Sequence, residues 1–140
     1  MRIYFLSILT VLFALQASAE SLKPGKYPKV YTGQEGLTVT VVPMMPKTAN
    51  KAIVVVSGVD TEIDGLGIMH NIKKRSKGDV AYETTLHGEG FWTLYSEKSW
   101  GWKRYKVQLP ESPMEKNYVY YDEKKSKKIK SSPVVDNYKR

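Results

Sequence analysis

Apolar and polar positions alternate with a period of two along most of this chain after residue 36. Residues 80–87 (VAYETTLH) alternate throughout, and residues 37–42 (LTVTVV) are rich in β-branched side chains, which is typical of β-strands. Residues 52–56 (AIVVV) form an uninterrupted apolar run of strand length, which predicts a strand buried on both faces. Further strands are predicted at 91–96, 100–109 and 118–121.

Glycine and proline separate these segments at short intervals, which favours antiparallel strands joined by turns. The segment 66–77 is ambiguous: Ile68, His70 and Ile72 alternate as in a strand, whereas the lysines near its end suit the last turn of a helix. We favour the strand. The prediction is a single-domain all-β fold, an antiparallel β-sandwich or small barrel of about six to eight strands, with one short helix near 66–77 as the alternative.

The first 19 residues predict export. Met1-Arg2 is a short positive start, residues 3–15 are almost wholly apolar, and Ala17-Ser18-Ala19 has the A-x-A pattern. This order is typical of a secretory signal peptide, with cleavage expected near Ala19/Glu20. The apolar run is shorter than the roughly 20 residues that a membrane-spanning helix needs, so no transmembrane segment is expected in the mature chain.

The remainder has the length of one domain and divides into three parts by composition. Residues 20–36, rich in glycine and proline, predict an extended lead-in. Residues 37–130 are expected to form the β domain. Residues 131–140 are expected to form a C-terminal tail or a last strand.

Composition limits the cellular compartments and the classes of binding partner that suit this chain. The chain has no cysteine and a formal net charge of +8. Small secreted domains usually carry disulfides, so this one has to be stabilised by packing, and the lack of an N-x-S/T sequon favours a bacterial periplasmic or secreted protein. Lysine outnumbers arginine and acts as a diffuse point charge. We expect attraction to an acidic protein, an anionic glycan or an anionic membrane surface, and no specific recognition of nucleic acid.

All three tryptophans lie within residues 91–109, which predict an aromatic hairpin. With Glu97-Lys98 as a two-residue turn, Tyr95 would lie opposite Trp100. The face opposite to Tyr95 would then present Trp92, Leu94, Tyr105 and Val107.

Only one face of such a hairpin can point into a two-layer core. The other face either lies under a loop or the tail, or exposes aromatic and basic side chains to a partner. A slip of one residue in register would exchange the two faces. The candidate binding surface comprises Phe91, Tyr95, Trp100, Trp102, Lys103, Arg104 and Lys106.

A second positive region follows the tyrosine-rich strand. It is interpreted either as a solvated hairpin tip or tail, or as a docking patch for an acidic partner. This basic patch comprises Lys124, Lys125, Lys127, Lys128 and Lys130.

An acidic turn has the sequence D-x-E-x-D-G and resembles the first half of a calcium-binding loop. Its ligands would be Asp60, Glu62 and Asp64, with Gly65 supplying the bend. The match fails at the twelfth position, where Asn71 stands instead of a bidentate glutamate. A turn between strands is the favoured interpretation, and a Ca²⁺ site is the alternative. No other cofactor is expected.

Catalytic patterns are weak in this sequence. Thiol catalysis is excluded by the absence of cysteine, and Ser57 lacks a G-x-S-x-G context. A metal-dependent enzyme built on His87, Glu83 and Glu89 is the least favoured hypothesis.

The leading functional hypothesis is therefore an exported, non-enzymatic binding or inhibitor/immunity-type protein that acts through an aromatic-basic β surface on another protein. One alternative is a module that binds an anionic envelope glycan. Another is a structural subunit of an envelope or secretion assembly, joined by strand addition at an exposed edge.

Overall fold

A computed structural model describes residues 22–136 and 138, and this part of the chain forms nine strands and two short helices. Alternating sequence patterns give the strands, and the β-branched residues in them suit a pleated, half-buried surface. The strands are β1 (Lys23–Pro24), β2 (Lys29–Thr32), β3 (Thr38–Met45), β4 (Lys51–Ser57), β5 (Gly67–Lys74), β6 (Val80–Leu86), β7 (Glu89–Ser99), β8 (Trp102–Leu109) and β9 (Ser112–Tyr121). The helices are α1 (Glu123–Lys128) and α2 (Ser131–Val135).

Strands β2 to β9 form a closed antiparallel barrel in which each strand pairs with the next along the chain. The barrel closes where Tyr31 and Thr32 of β2 pair with Tyr121 and Tyr120 of β9, and β1 pairs with the end of β3. The expected all-β small barrel is confirmed. Each strand is short and is joined to the next by a turn, so the meander can close on itself and leave no long free edge at the β2–β9 seam.

The structure differs from the predicted boundaries in three places. Segment 66–77 holds strand β5, so the helix suggested there as an alternative is wrong. The barrel includes β2 and therefore starts inside the predicted extended lead-in, 20–36. The helices occupy residues 123–128, which were expected to belong to the β domain, and 131–135, which were expected to be a C-terminal tail or a last strand. The predicted signal peptide, 1–19, lies outside the described residues.

Both helices form because the barrel gives them contacts. Asp122 caps α1 by accepting a hydrogen bond from the backbone N–H of Lys125 at 2.9 Å. Ser126 of α1 accepts a hydrogen bond from the backbone N–H of Val30 at 2.8 Å, which joins the helix to β2. None of the helices in the described part of the chain is long and apolar enough to cross a membrane.

The apolar run of β4 is buried on both faces, as predicted. Ala52, Val54 and Val56 belong to the inner core, while Ile53 belongs to a second cluster on the outside of the barrel. Val134 of α2 packs into this outer cluster and covers it. The C-terminal segment is therefore part of the folded unit.

The interior of the barrel is filled by side chains, as expected of eight strands. Ile63, from the connection between β4 and β5, also packs into this core. The core contains the buried tyrosines Tyr31 and Tyr82. Burial, followed by the nearby Tyr105, raises the pKa of Tyr82 to about 12, so its hydroxyl stays neutral. The fully buried aliphatic side chains of the core include Val39, Val41, Leu94, Val107 and Val119.

Candidate binding surface

The β7–β8 hairpin turns three residues later than predicted. Trp100 and Gly101 form the turn, both with positive φ (51° and 79°), as in a two-residue type I′ turn. The predicted turn at Glu97-Lys98 is wrong, because strand pairing continues past it. Consequently Tyr95 lies opposite Lys106 and not opposite Trp100.

A bulge in β7 also changes which side chains face inward. Tyr82 pairs with Leu94 and Glu83 pairs with Trp92, so Thr93 is an extra residue between the two pairs. Thr93 and Leu94 are both buried. Trp92 lies outside the core, where its Nε1 donates to the Glu83 carboxylate at 2.8 Å, so its predicted place on the same face as Leu94 is wrong.

The outer face of β7, β8 and β9 carries a row in which positive side chains alternate with aromatic rings. The Lys106 Nζ lies 6.0 Å from the ring centre of Tyr95 and 5.4 Å from that of Tyr118. The Arg104 guanidinium lies 5.7 Å from the Tyr118 ring, within the range of cation–π attraction. Further along, the Arg75 guanidinium lies 4.9 Å from the Trp92 ring. We call this row the outer strip: Arg75, Trp92, Tyr95, Arg104, Lys106 and Tyr118.

Two cations of the outer strip differ in what they can contact. The Lys106 side chain is only 11% exposed, and its Nζ donates to a Glu97 carboxylate oxygen at 2.7 Å. This hydrogen bond raises the pKa of Lys106 and keeps it charged. Arg104 is exposed, and within the described residues no carboxylate forms a salt bridge with it. Lys106 therefore supports the strip, while Arg104 is available to a partner.

The tip of the hairpin exposes two tryptophans. Trp100 is 96% exposed and Trp102 is 76% exposed. Trp102 pairs with Ser99 and follows the alternation of Arg104, which places it on the outer face beside the strip. Neither side chain belongs to the core, so burial does not explain either tryptophan.

The remaining members of the predicted surface lie elsewhere. Phe91 pairs with Thr84 near the far end of β7 and is half-buried, so it does not join the outer strip. Lys103 pairs with Lys98, on the inward alternation, and donates to the Gly78 carbonyl at 3.1 Å. The structure thus brings together Tyr95, Trp102, Arg104 and Lys106.

Sequence reasoning did not assign three members of the outer strip to the surface: Arg75, Trp92 and Tyr118. Tyr118 comes from β9 and Arg75 from the β5–β6 connection, so only the fold brings them to the hairpin. The one local signal was the tyrosine-rich stretch 118–121.

The predicted basic patch lies on and just after α1. Lys124, Lys125, Lys128 and Lys130 are exposed, and Lys127 pairs with Glu123 at 2.9 Å. α1 packs against β2 through Ser126, and Lys125 and Lys128 line a pocket with Thr38 and Thr40, so the patch lies on the outside of the barrel over β2 and β3.

The acidic turn forms hydrogen bonds with other connections at the same end of the barrel. Glu62 Oε1 lies 2.8 Å from His87 Nε2, and this hydrogen bond raises the pKa of His87. The backbone N–H of Glu62 donates to Glu111 at 2.8 Å, while Asp64 accepts from the backbone N–H of Val59 at 3.3 Å. Asp60 is exposed. Among the residues that the structure describes, no three acidic or histidine side chains converge as a metal-ligand group.

The second histidine is inside the barrel. His70 Nδ1 lies 2.8 Å from the carbonyl oxygen of Ile68, so Nδ1 carries the proton. Nε2 then accepts a hydrogen bond from the Thr93 hydroxyl at 2.6 Å. Burial lowers the pKa of His70 to about 4, which leaves the ring neutral at pH 7.

A groove of about 450 Å³ lies beside β9. Its lining includes Glu35, Asp60, Tyr118 and Tyr120. Tyr118 thus joins the groove to the outer strip.

Comparison of this chain with known proteins found no matching family model, no matching curated protein and no matching solved structure.

Proposed function

We propose that this protein is an exported, non-enzymatic binding protein of the inhibitor type, which holds an acidic surface of another protein against the outer strip and Trp102. The observation that supports this most strongly is the composition of the exposed face. Arg104, Tyr118 and Trp102 belong to the residue types that supply most binding energy at protein interfaces.

The rigidity of the face supports the same proposal. Tyr95, Lys106 and Tyr118 lie on three consecutive paired strands, and the Lys106–Glu97 ion pair fixes the side chain between the two rings. A surface that is already ordered loses little side-chain entropy on binding, so more of its contact energy contributes to affinity. This is the behaviour expected of a protein that occludes a partner's cleft.

Exposure of Arg104 and Trp102 supports a partner that is negatively charged and partly apolar. Arg104 has a planar guanidinium that can bind a carboxylate in bidentate geometry. Trp102, next to it on the outer face, offers a large apolar area with one N–H donor. An aspartate or glutamate next to an apolar side chain would satisfy both.

The test is capture of a partner from the native envelope by the immobilised protein and by the double variant Trp102→Ala/Arg104→Ala. We expect one protein to bind the unaltered chain in stoichiometric amount and to be lost from the variant. Lys26→Ala/Tyr27→Ala is the matched control, because it removes an exposed cation–aromatic pair (Lys26 Nζ to Tyr27 ring, 5.7 Å) in the β1–β2 connection.

Equal capture by the unaltered chain and the double variant would contradict the proposal. Retention of an anionic glycan, with no protein bound, would also contradict it and favour the glycan module. Retention should weaken as salt is added, because Arg104 is exposed and its attraction is screened.

A further inference from the structure

The topology of the barrel sorts its connections into two groups. Because β2 to β9 run alternately up and down, successive connections fall at opposite ends. One end has connections 33–37, 58–66, 87–88 and 110–111. The other has connections 46–50, 75–79 and 100–101, while the chain that leaves β9 at residue 122 runs over the outside of β2 and β3.

Charge is divided between these ends. The four connections of the first end contain no lysine or arginine, and we call it the acidic end. At the second end, the basic end, the turns contain Lys47, Arg75 and Lys77, and the exposed Lys74 and Lys98 lie beside them on β5 and β7. The carboxylates of the acidic end are Glu35, Asp60, Glu62, Asp64 and Glu111.

The carboxylates near the basic end are engaged within the protein. Asp79 accepts hydrogen bonds from the Ser96 hydroxyl and from the Lys98 backbone, each at 3.2 Å. Glu97 pairs with Lys106 at 2.7 Å. The exposed Lys47, Lys74, Arg75, Lys77 and Lys98 outnumber these two carboxylates, so this end carries a net positive charge.

Large exposed apolar side chains lie at the same end. Met45 ends β3, Trp100 occupies the β7–β8 turn and Trp102 begins β8. Tyr120 is also exposed, but it lines the groove that holds Glu35 and Asp60 and so lies toward the acidic end.

Trp100 is the clearest case. It occupies the first position of the β7–β8 turn with φ of 51°, a conformation that bulky side chains rarely adopt and that asparagine or glycine fills more readily. It is also almost fully exposed, so neither burial nor turn geometry explains a tryptophan there. An unfavourable residue kept at an exposed tip indicates contact with something outside the protein.

We propose that the basic end docks on the surface of an anionic phospholipid bilayer, with Trp100 inserted at the headgroup level. Lysines around the rim of the barrel give the diffuse positive charge that anionic headgroups attract. Tryptophan and tyrosine prefer the same interfacial depth, because their rings are apolar and their N–H and O–H groups stay wet. The acidic end then faces away from the membrane, and Tyr95, Lys106 and Tyr118 of the outer strip, on the wall of the barrel, stay accessible.

Lipid is favoured over an acidic protein as the occupant of this end. The cations come from two separate connections and the strand ends beside them, spread around the rim, and include only one arginine, Arg75, which already contacts Trp92. A protein partner is usually recognised by planar, bidentate arginines within one compact patch.

The test uses the form of the protein that cells export from the full chain, mixed with sedimented vesicles. One set of vesicles is phosphatidylcholine alone, and the other is an equal mixture of phosphatidylcholine and phosphatidylglycerol. We expect binding only to the anionic vesicles, loss of binding at high salt, and a blue shift of tryptophan fluorescence. The apolar residues 3–15, if retained, would bind both kinds of vesicle without regard to charge. The neutral vesicles measure that contribution.

Two variants and one control identify the surface. Trp100→Gly suits the turn and should remain folded while it loses the fluorescence shift and weakens binding. Lys47→Gln/Lys74→Gln/Lys77→Gln should weaken binding by on the order of a hundredfold, since each lysine near an anionic surface contributes about a fivefold factor. Glu35→Gln/Asp60→Asn, at the acidic end, is the control and should bind as the unaltered chain does.

Absence of binding to the anionic vesicles, or equal binding to both kinds of vesicle, would overturn the proposal. Unchanged binding of both basic-end variants would also overturn it. The result is independent of the proposed protein partner, because Tyr95, Arg104 and Tyr118 remain intact in every variant used here.

Discussion

The two faces of the β7–β8 hairpin are built on the same strands but are explained by different physics. Leu94 and Val107 face inward as a cross-strand pair in the barrel core, and neither is exposed. Arg104 and Trp102 lie on the opposite face and remain open to solvent. Packing explains the inner pair but does not explain the outer pair. We therefore propose that the outer pair serves in binding.

The inner face should respond most strongly to truncation. Leu94→Ala removes a fully buried side chain from a filled barrel, and we expect the free energy of unfolding to fall by about 4 kcal/mol. Chemical denaturation followed by tryptophan fluorescence measures this value. A loss below about 1 kcal/mol would mean that the interior is not packed as described.

Acid should lower the stability of the folded protein through the buried His70. Its pKa is about 4 in the folded protein against an ordinary value of 6.5, so between these values the unfolded chain binds more protons. Stability is therefore full above about pH 6.5 and is lost as the pH falls toward 4, by on the order of 3 kcal/mol. Unfolding in urea at several pH values measures the slope.

A matched variant isolates that slope. His87 has the opposite effect on stability, because its raised pKa stabilises the fold at low pH. The series is therefore best run in a His87→Gln background. Adding His70→Gln should then flatten the dependence between pH 4 and 6.5. If the pH dependence of the unfolding free energy remained after this change, it would come from other titratable groups.

The tip of the hairpin should respond in the opposite direction to the core. Trp100→Gly relieves a bulky residue at φ of 51° and removes no buried area, so we expect stability to rise by roughly 0.5–1 kcal/mol. Thermal denaturation of the variant beside the unaltered chain provides the measurement. A clear loss of stability would show that Trp100 packs against the protein after all.

The sequence predicted the β class from the alternation of apolar and polar residues, and the double burial of β4 from an uninterrupted apolar run, because both patterns are local. It misplaced the hairpin turn because Glu97-Lys98 was chosen without a residue suited to positive φ, whereas Gly101 follows Trp100. The helix α1 was missed, since it depends partly on the contact between Ser126 and Val30, which are far apart in sequence.

The outer strip was only half predictable for a similar reason. Tyr95 was named from strand alternation, and Arg104 and Lys106 from their place in the same hairpin, but the bulge at Thr93 changed the face of Trp92. Tyr118 reaches the strip only through the pairing of β9 with β8. A single extra residue in a strand reverses every later side chain, and a period-two pattern does not reveal where it lies.

The separation between a core face and a docking face is tested by measuring the free energy of unfolding of Trp102→Ala/Arg104→Ala together with its capture of the partner. We expect the unfolding free energy to stay within about 0.5 kcal/mol of the unaltered chain while capture is lost. A fall of about 2 kcal/mol or more, or full capture by the variant, would show that this face is not a docking surface.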